Sequence, residues 1–163
     1  MYTSIKERQL TGAPQFTFED LFIFPFSEKR VYEPDGSYHY VPYEQNTSPT
    51  GIHIFDDYLR SIGTSDFNLF SFCDSHGINT RDLEGVTFML TGMGSRTFRN
   101  KWKLQTAFSL LRYTDMTIAE VAKESGFGNT MSMHHVLHHA KLSSATVLRY
   151  QMRKEHDVGR YRP

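Results

Sequence analysis

Apolar side chains recur at helical spacing along most of this chain, and one stretch near its start alternates instead. Phe16, Phe18, Phe22, Phe24 and Phe26 share one parity, which predicts a strand with an aromatic face. Beyond it, Val31-Tyr32 and Tyr38-His39-Tyr40-Val41 flank Glu33-Pro34-Asp35-Gly36, where proline presets φ and glycine accepts the left-handed position of a turn. A small β-hairpin follows. Its aromatic face needs a cover, which is the helical body or a partner, a second copy included.

From residue 52 the period changes to that of helices. Ile52, Phe55, Tyr58-Leu59 and Ile62 predict a first helix, stopped by Gly63. A second is expected from about Asp66 to Ser75, capped by Thr64 or Ser65, with Phe67, Leu69, Phe70 and Cys73 inward. A third runs from Arg81 to about Leu90, capped by Asn79 or Thr80. Phe98 to Leu111 predicts a longer helix with Leu104, Ala107-Phe108 and Leu111 as its stripe and Arg99, Lys101 and Lys103 reaching outward. Thr117 with Glu120 is a capping box, Ile118, Val121 and Ala122 follow at helical spacing, and Gly126 ends the helix. Phe127 plugs the turn, and Asn129 or Thr130 caps a helix whose inward face is Met133, Val136 and Leu137. Helix, tight turn and second helix make the plan that offers its second helix to a DNA groove. Ser143-Ser144 caps a last helix from Ala145 to about Lys154, and residues 160–162 read as a mobile basic tail.

The run from Leu104 to Arg153 resembles the DNA-binding domain of AraC-type bacterial transcription regulators, with Ala107, Leu110-Leu111, Thr114 through Ala122 and Gly126-Phe127 carrying the likeness. The resemblance covers roughly residues 52 to 155. It implies a mainly α fold of about seven helices, two helix-turn-helix subdomains joined by a long helix. The expected division is an N-terminal arm and hairpin over 1–50, a first subdomain over 51–94, a linking helix over 95–114, a second subdomain over 115–157 and a tail over 158–163. A linking helix of ~16 residues spans about 24 Å, which with the offsets of two recognition helices approaches the ~34 Å turn of DNA.

Charge sharpens this picture. The formal net charge is zero, but residues 92–163 hold twelve Lys and Arg against five Asp and Glu, whereas residues 51–91 hold two against six. The basic half is the half with the best motif, which favours an anionic partner there. The expected DNA contacts are Asn129, Thr130, Met131, His134, His135 and His138 in one groove, Arg81 and Glu84 in a weaker first groove, and Arg96, Arg99, Lys101, Arg149 and Arg153 on phosphates. Family members usually carry Arg or Lys where His135, His138 and His139 stand. Histidine gains charge as pH falls toward 6, so affinity for DNA should rise in acid.

The other classes are less well served. His134 with His138, and His135 with His139, have the spacing of a helical metal pair, yet no Cys, Asp or Glu follows in that helix to complete a site. Neither a Gly-rich phosphate loop nor a nucleophile elbow appears, so no enzyme, metal or cofactor is expected. The single cysteine, Cys73, reads as a buried packing thiol. No apolar run reaches ~20 residues and no leader-like core opens the chain, so the expectation is a cytoplasmic protein without a membrane segment. Some 50 residues are too few to close an effector-binding barrel. The runner-up function is a degenerate helix-turn-helix that binds protein, or itself, through residues 16–43.

Overall fold

A computed structural model describes residues 14–45, 49–64 and 66–163; the arm through residue 13, and Ser65 as a cap, lie outside the described residues. In chain order the elements are α1 (Phe18–Leu21), β1 (Glu28–Tyr32), β2 (Tyr38–Pro42), α2 (His53–Ile62), α3 (Leu69–Ser75), α4 (Thr80–Thr91), α5 (Ser95–Tyr113), α6 (Ile118–Glu124), α7 (Thr130–His139), α8 (Ala145–Met152) and β3 (Tyr161–Arg162). The fold is mainly α, and α2 to α8 are two helix-turn-helix units on one long helix.

Two cores make the units. The first gathers Phe55, Tyr58, Leu59 and Ile62 of α2, Phe72 and Cys73 of α3, and Leu83 and Leu90 of α4. In the second, Val121 and Ala122 meet Phe127, Met133, Leu137, Ala145 and Leu148. Helix α5 serves both: Phe98 and Trp102 enter the first core, and Ala107, Leu110 and Leu111 enter the second. Its 19 residues span about 28 Å. Both ends of α5 are closed from a distance. At the start Gly94 has no side chain to cap with, and Glu84 of α4 accepts from the Ser95 amide at 2.9 Å.

The two turns are built alike. After α3, Gly77 takes φ +65°, its amide donates to Asp74 and the Ile78 amide to Cys73. After α6, Gly126 takes φ +89°, its amide donates to Lys123 and the Phe127 amide to Ala122. Each is a Schellman ending, with an apolar residue after the glycine and an asparagine cap beyond it, Asn79 or Asn129. Cys73 therefore holds the place of Ala122. A small side chain there lets the crossing helices close, and burial pushes the Cys73 thiol up.

The phenylalanine stretch is not a strand. Thr17 and Asp20 form a capping box, which folds Phe18–Leu21 into one helical turn, and the chain leaves it in extended geometry at Phe22 and bends at Pro25. Phe18 and Leu21 enter the first core and Phe26 the second, so the stretch straps the two units together along α5. Phe18 lies 5.7 Å from Phe98, and Phe26 lies 6.2 Å from Tyr113. Of the two covers expected for this aromatic stretch, the helical body is the one it meets.

Downstream, the hairpin forms as expected, with Val31 opposite His39 in an antiparallel pair. The tail is not mobile, because Tyr161 and Arg162 pair with Lys29 and Glu28 to give a sheet of order β2-β1-β3. Two further expectations are corrected. The cap of α3 is Asn68 rather than Thr64, and that later start turns Phe72 inward and leaves Phe70 74% exposed. Lys103 does not reach outward either. Its ammonium lies 5.8 Å over the Phe127 ring, and burial, with the Arg99 charge, pulls its pKa down.

Candidate nucleic-acid interface

Helix α7 is held by a narrow apolar edge. Met133 and Leu137 are buried, Val136 is half-buried, and Asn129 caps the start by accepting from the Ser132 amide at 2.8 Å. Everything else on the helix except the half-buried Thr130 faces out: Met131 (82% exposed), Ser132, His134, His135, His138 and His139. No ion pair or hydrogen bond within the described residues occupies the four imidazoles. The helix ends on Lys141 at φ +58°, a position where glycine is the usual choice.

In the first unit, α4 presents Arg81, Asp82, Gly85 and Met89 to solvent. Arg81 makes no ion pair among the described residues. Glu84 is exposed beside them, and one oxygen of its carboxylate accepts from the Ser95 amide at the start of α5 at 2.9 Å. Thr87 lies fully buried, its hydroxyl donating to the Leu83 carbonyl at 2.7 Å, while Phe88 stays half-buried.

The cations expected on phosphates divide into two groups. Arg149 donates to the Leu111 carbonyl at 3.1 Å and to the Met116 carbonyl at 2.6 Å. Arg153 donates to the carbonyls of Leu111, Arg112 and Thr114 and reaches the Asp115 carboxylate at 3.2 Å. The Leu111, Arg112 and Thr114 carbonyls end α5 and have no partner inside the helix, and Met116 lies in the loop that follows, so two guanidiniums cap the helix where its dipole is negative and pin the loop to it. Arg99 is likewise tied, donating to Ser95 Oγ at 2.8 Å and to the Tyr58 hydroxyl at 3.3 Å. Lys101 sits 4.6 Å over the Phe18 ring and 3.9 Å from Glu19. Among the described residues, Arg96 is the one member of this group that is exposed and has no hydrogen-bond or ion-pair partner.

A prediction separates capping from phosphate contact. Arg153→Ala should lower stability by about 1.5–3 kcal/mol, the worth of hydrogen bonds to a charged group, and leave the salt dependence of DNA binding unchanged. Urea unfolding and salt titration of the same variant would show it; an unshifted urea midpoint with a shallower salt slope would return Arg153 to the interface.

Sequence reasoning missed Thr97 and Asn100, and left His139 out of the contact set. All three line one cleft with Arg96 and His135. The available sign was a pair of i, i+4 spacings, Arg96 with Asn100 and His135 with His139. Among the described residues no three His, Cys, Asp or Glu side chains are placed to hold a metal ion, and no helix is long and apolar enough to cross a membrane.

No protein-family profile matches the sequence, and no curated protein does. Solved structures are similar in fold. The C-terminal domain of AraT, a response regulator from Geobacillus stearothermophilus, matches at 17% identity with a TM-score of 0.53, over 68% of this chain and 91% of that one. The xylose-binding transcription activator xylR matches at 16% identity with a TM-score of 0.52, over 71% of this chain; the match spans 32% of the activator. The chain has the bipartite helix-turn-helix fold of these domains, which is the fold its sequence resemblance implies.

Proposed function

We propose that this chain is a sequence-specific DNA-binding transcription regulator of AraC type, acting in the bacterial cytoplasm on double-stranded DNA. The observation that carries the reading is α7. A ten-residue helix at the second position of a helix-turn-helix exposes six polar or methionine side chains that no other described residue engages by hydrogen bond or ion pair. Asn129, Thr130, Met131, His134 and His138 suit base edges and a thymine methyl, and Arg81 of α4 offers a second, weaker contact across the linking helix. The reading as a protein-binding module through residues 16–43 loses its main surface, because Phe18 and Phe26 are in the cores.

The test is fluorescence anisotropy of the full chain on random duplex DNA at several salt concentrations. Log affinity should fall linearly with log salt, by about 0.9 for each phosphate neutralised. Folded protein that shows no binding at ~50 mM salt ends this reading. Where binding is seen, selection of the preferred site follows, and Met131→Ala should cost about 1–3 kcal/mol at one base pair and nothing elsewhere.

A further inference from the structure

The first turns of α5 and one edge of α7 enclose a cleft of about 410 Å³, lined by Arg96, Thr97, Asn100, His135, Val136 and His139. Each i, i+4 pair stacks along its own helix, so a guanidinium and an amide from α5 stand across from two imidazoles of α7. Among the described residues the lining has no carboxylate. Helix α5 carries no acid, and Glu84 of α4 is engaged at its start, where its carboxylate accepts from the Ser95 amide at 2.9 Å. Arg99, one turn below Arg96, is engaged by Tyr58 and Ser95. Within the described residues Arg96, Asn100, His135 and His139 have no hydrogen-bond or ion-pair partner. Such a cluster of unspent donors in a concave site suits a compact oxyanion. A guanidinium meets two phosphate oxygens at once, and an amide and imidazoles reach the others.

We propose that this cleft seats one phosphate group, and that in the DNA complex the group is a backbone phosphate at the edge of the groove read by α7. The second half rests on the DNA-binding reading; the phosphate chemistry does not. Met131, His134 and His138 lie on the other side of the outward face of α7, so the helix would read bases with one edge and hold the backbone with the other. Because Arg96 and Asn100 belong to α5, the seat also ties the linking helix to the recognition helix when DNA is bound.

The experiment has two arms on the full chain. In the first, inorganic phosphate is titrated into isotope-labelled protein at fixed ionic strength against chloride. Saturable shifts at Arg96, Asn100, His135 and His139 are expected, and Arg96→Gln should abolish them. In the second, Arg96→Gln and His139→Gln are each bound to random duplex across a salt series. Each should weaken binding several-fold, and Arg96→Gln should reduce the salt slope by about 1. Lys29→Gln, an exposed hairpin cation, should change neither. Phosphate shifts without any duplex binding by the parent chain would keep the seat and assign it to a free phosphate compound, ending the DNA reading. Duplex binding with an unchanged slope in Arg96→Gln, and no localised phosphate shift, would overturn the proposal.

Discussion

Phe26→Ala is expected to cost the protein about 3–5 kcal/mol, and a chain beginning at residue 51 is expected not to unfold cooperatively at all. Phe26 is fully buried, 5.1 Å from Phe24 and stacked at 5.9 Å on Tyr161, among Leu110, Leu111 and Val121. Truncating its ring leaves a cavity bounded by three elements that cannot collapse together. Removing residues 1–50 takes Phe18 and Leu21 from one core as well as Phe26 from the other. For a domain of this size each kcal/mol lowers Tm by about 2–4 °C, so Phe26→Ala should melt roughly 10 °C lower. Trp102 is buried in the first core against Phe18 and Phe22, and its emission gives an independent view of the damage. If the strap couples the units, Trp102 and far-ultraviolet dichroism will lose their native signals at one shared, lowered urea midpoint. A residue 51–163 fragment that unfolds at the full chain's midpoint would sink the argument.

Asp157→Asn is the second large effect, about 2–4 kcal/mol. The Asp157 side chain is 3% exposed, accepts from Arg112 Nε at 2.8 Å and from the Lys154 amide at 2.9 Å, and lies 3.8 Å from Arg160. Burial pushes its carboxyl up, but the Arg112 hydrogen bond, the Lys154 amide and the two guanidinium charges outweigh burial and hold it below the usual carboxylate range. The asparagine leaves Arg112 without its counter-ion. Because the Arg112 side chain keeps 30% exposure, water recovers part of that loss, so the cost falls below that of a wholly buried pair. The sign in pH follows. A depressed folded-state pKa means that the unfolded chain binds the proton first, so the stabilisation is whole above the unfolded value of about 3.9 and disappears as pH falls through the folded one. Urea midpoints of the parent and Asp157→Asn should therefore stand apart at pH 7 and draw together below about pH 4. Midpoints that stay equally separated into acid would show that the carboxylate's charge is not what stabilises the tail.

The parts legible in the sequence are those whose physics is local. The capping box at Thr117 and Glu120, the glycine after it and the Phe127 plug lie within a dozen residues, and the structure reproduces each. The same holds for the Asn79 cap and the hairpin turn. What the sequence hides is decided by distant partners. Five phenylalanines of one parity do fit a strand, but the Thr17–Asp20 box and two separate cores outcompete the missing ladder. Arg149 and Arg153 are four apart and read as a basic face, because nothing near them announces that the end of α5 lies opposite. Glu84 reads only as an exposed acid, because no local spacing announces that the Ser95 amide, eleven residues on, lies beside it. Phe70 fails for a smaller reason, since a helix that starts at Asn68 rather than Thr64 presents a different edge. In the candidate site, the exposed residues of α7 were readable from periodicity. The cleft with α5 was not, because it requires the packing of two helices whose spacing no single window contains.

The pairing of β3 with β1 bears on how the protein is made. Glu28 and Arg162, joined at 3.1 Å, are separated by 134 positions, and Tyr161 completes the ring of Phe24, Phe26, Tyr43 and Tyr113. Contacts of such high order close late. On the ribosome the first unit can assemble as its residues emerge, while the aromatic ring waits for Tyr161 to clear the exit tunnel. Until then Phe24 and Phe26 lack the Tyr161 ring that closes over them, and that nascent interval is when the chain is most exposed to chaperones and to aggregation.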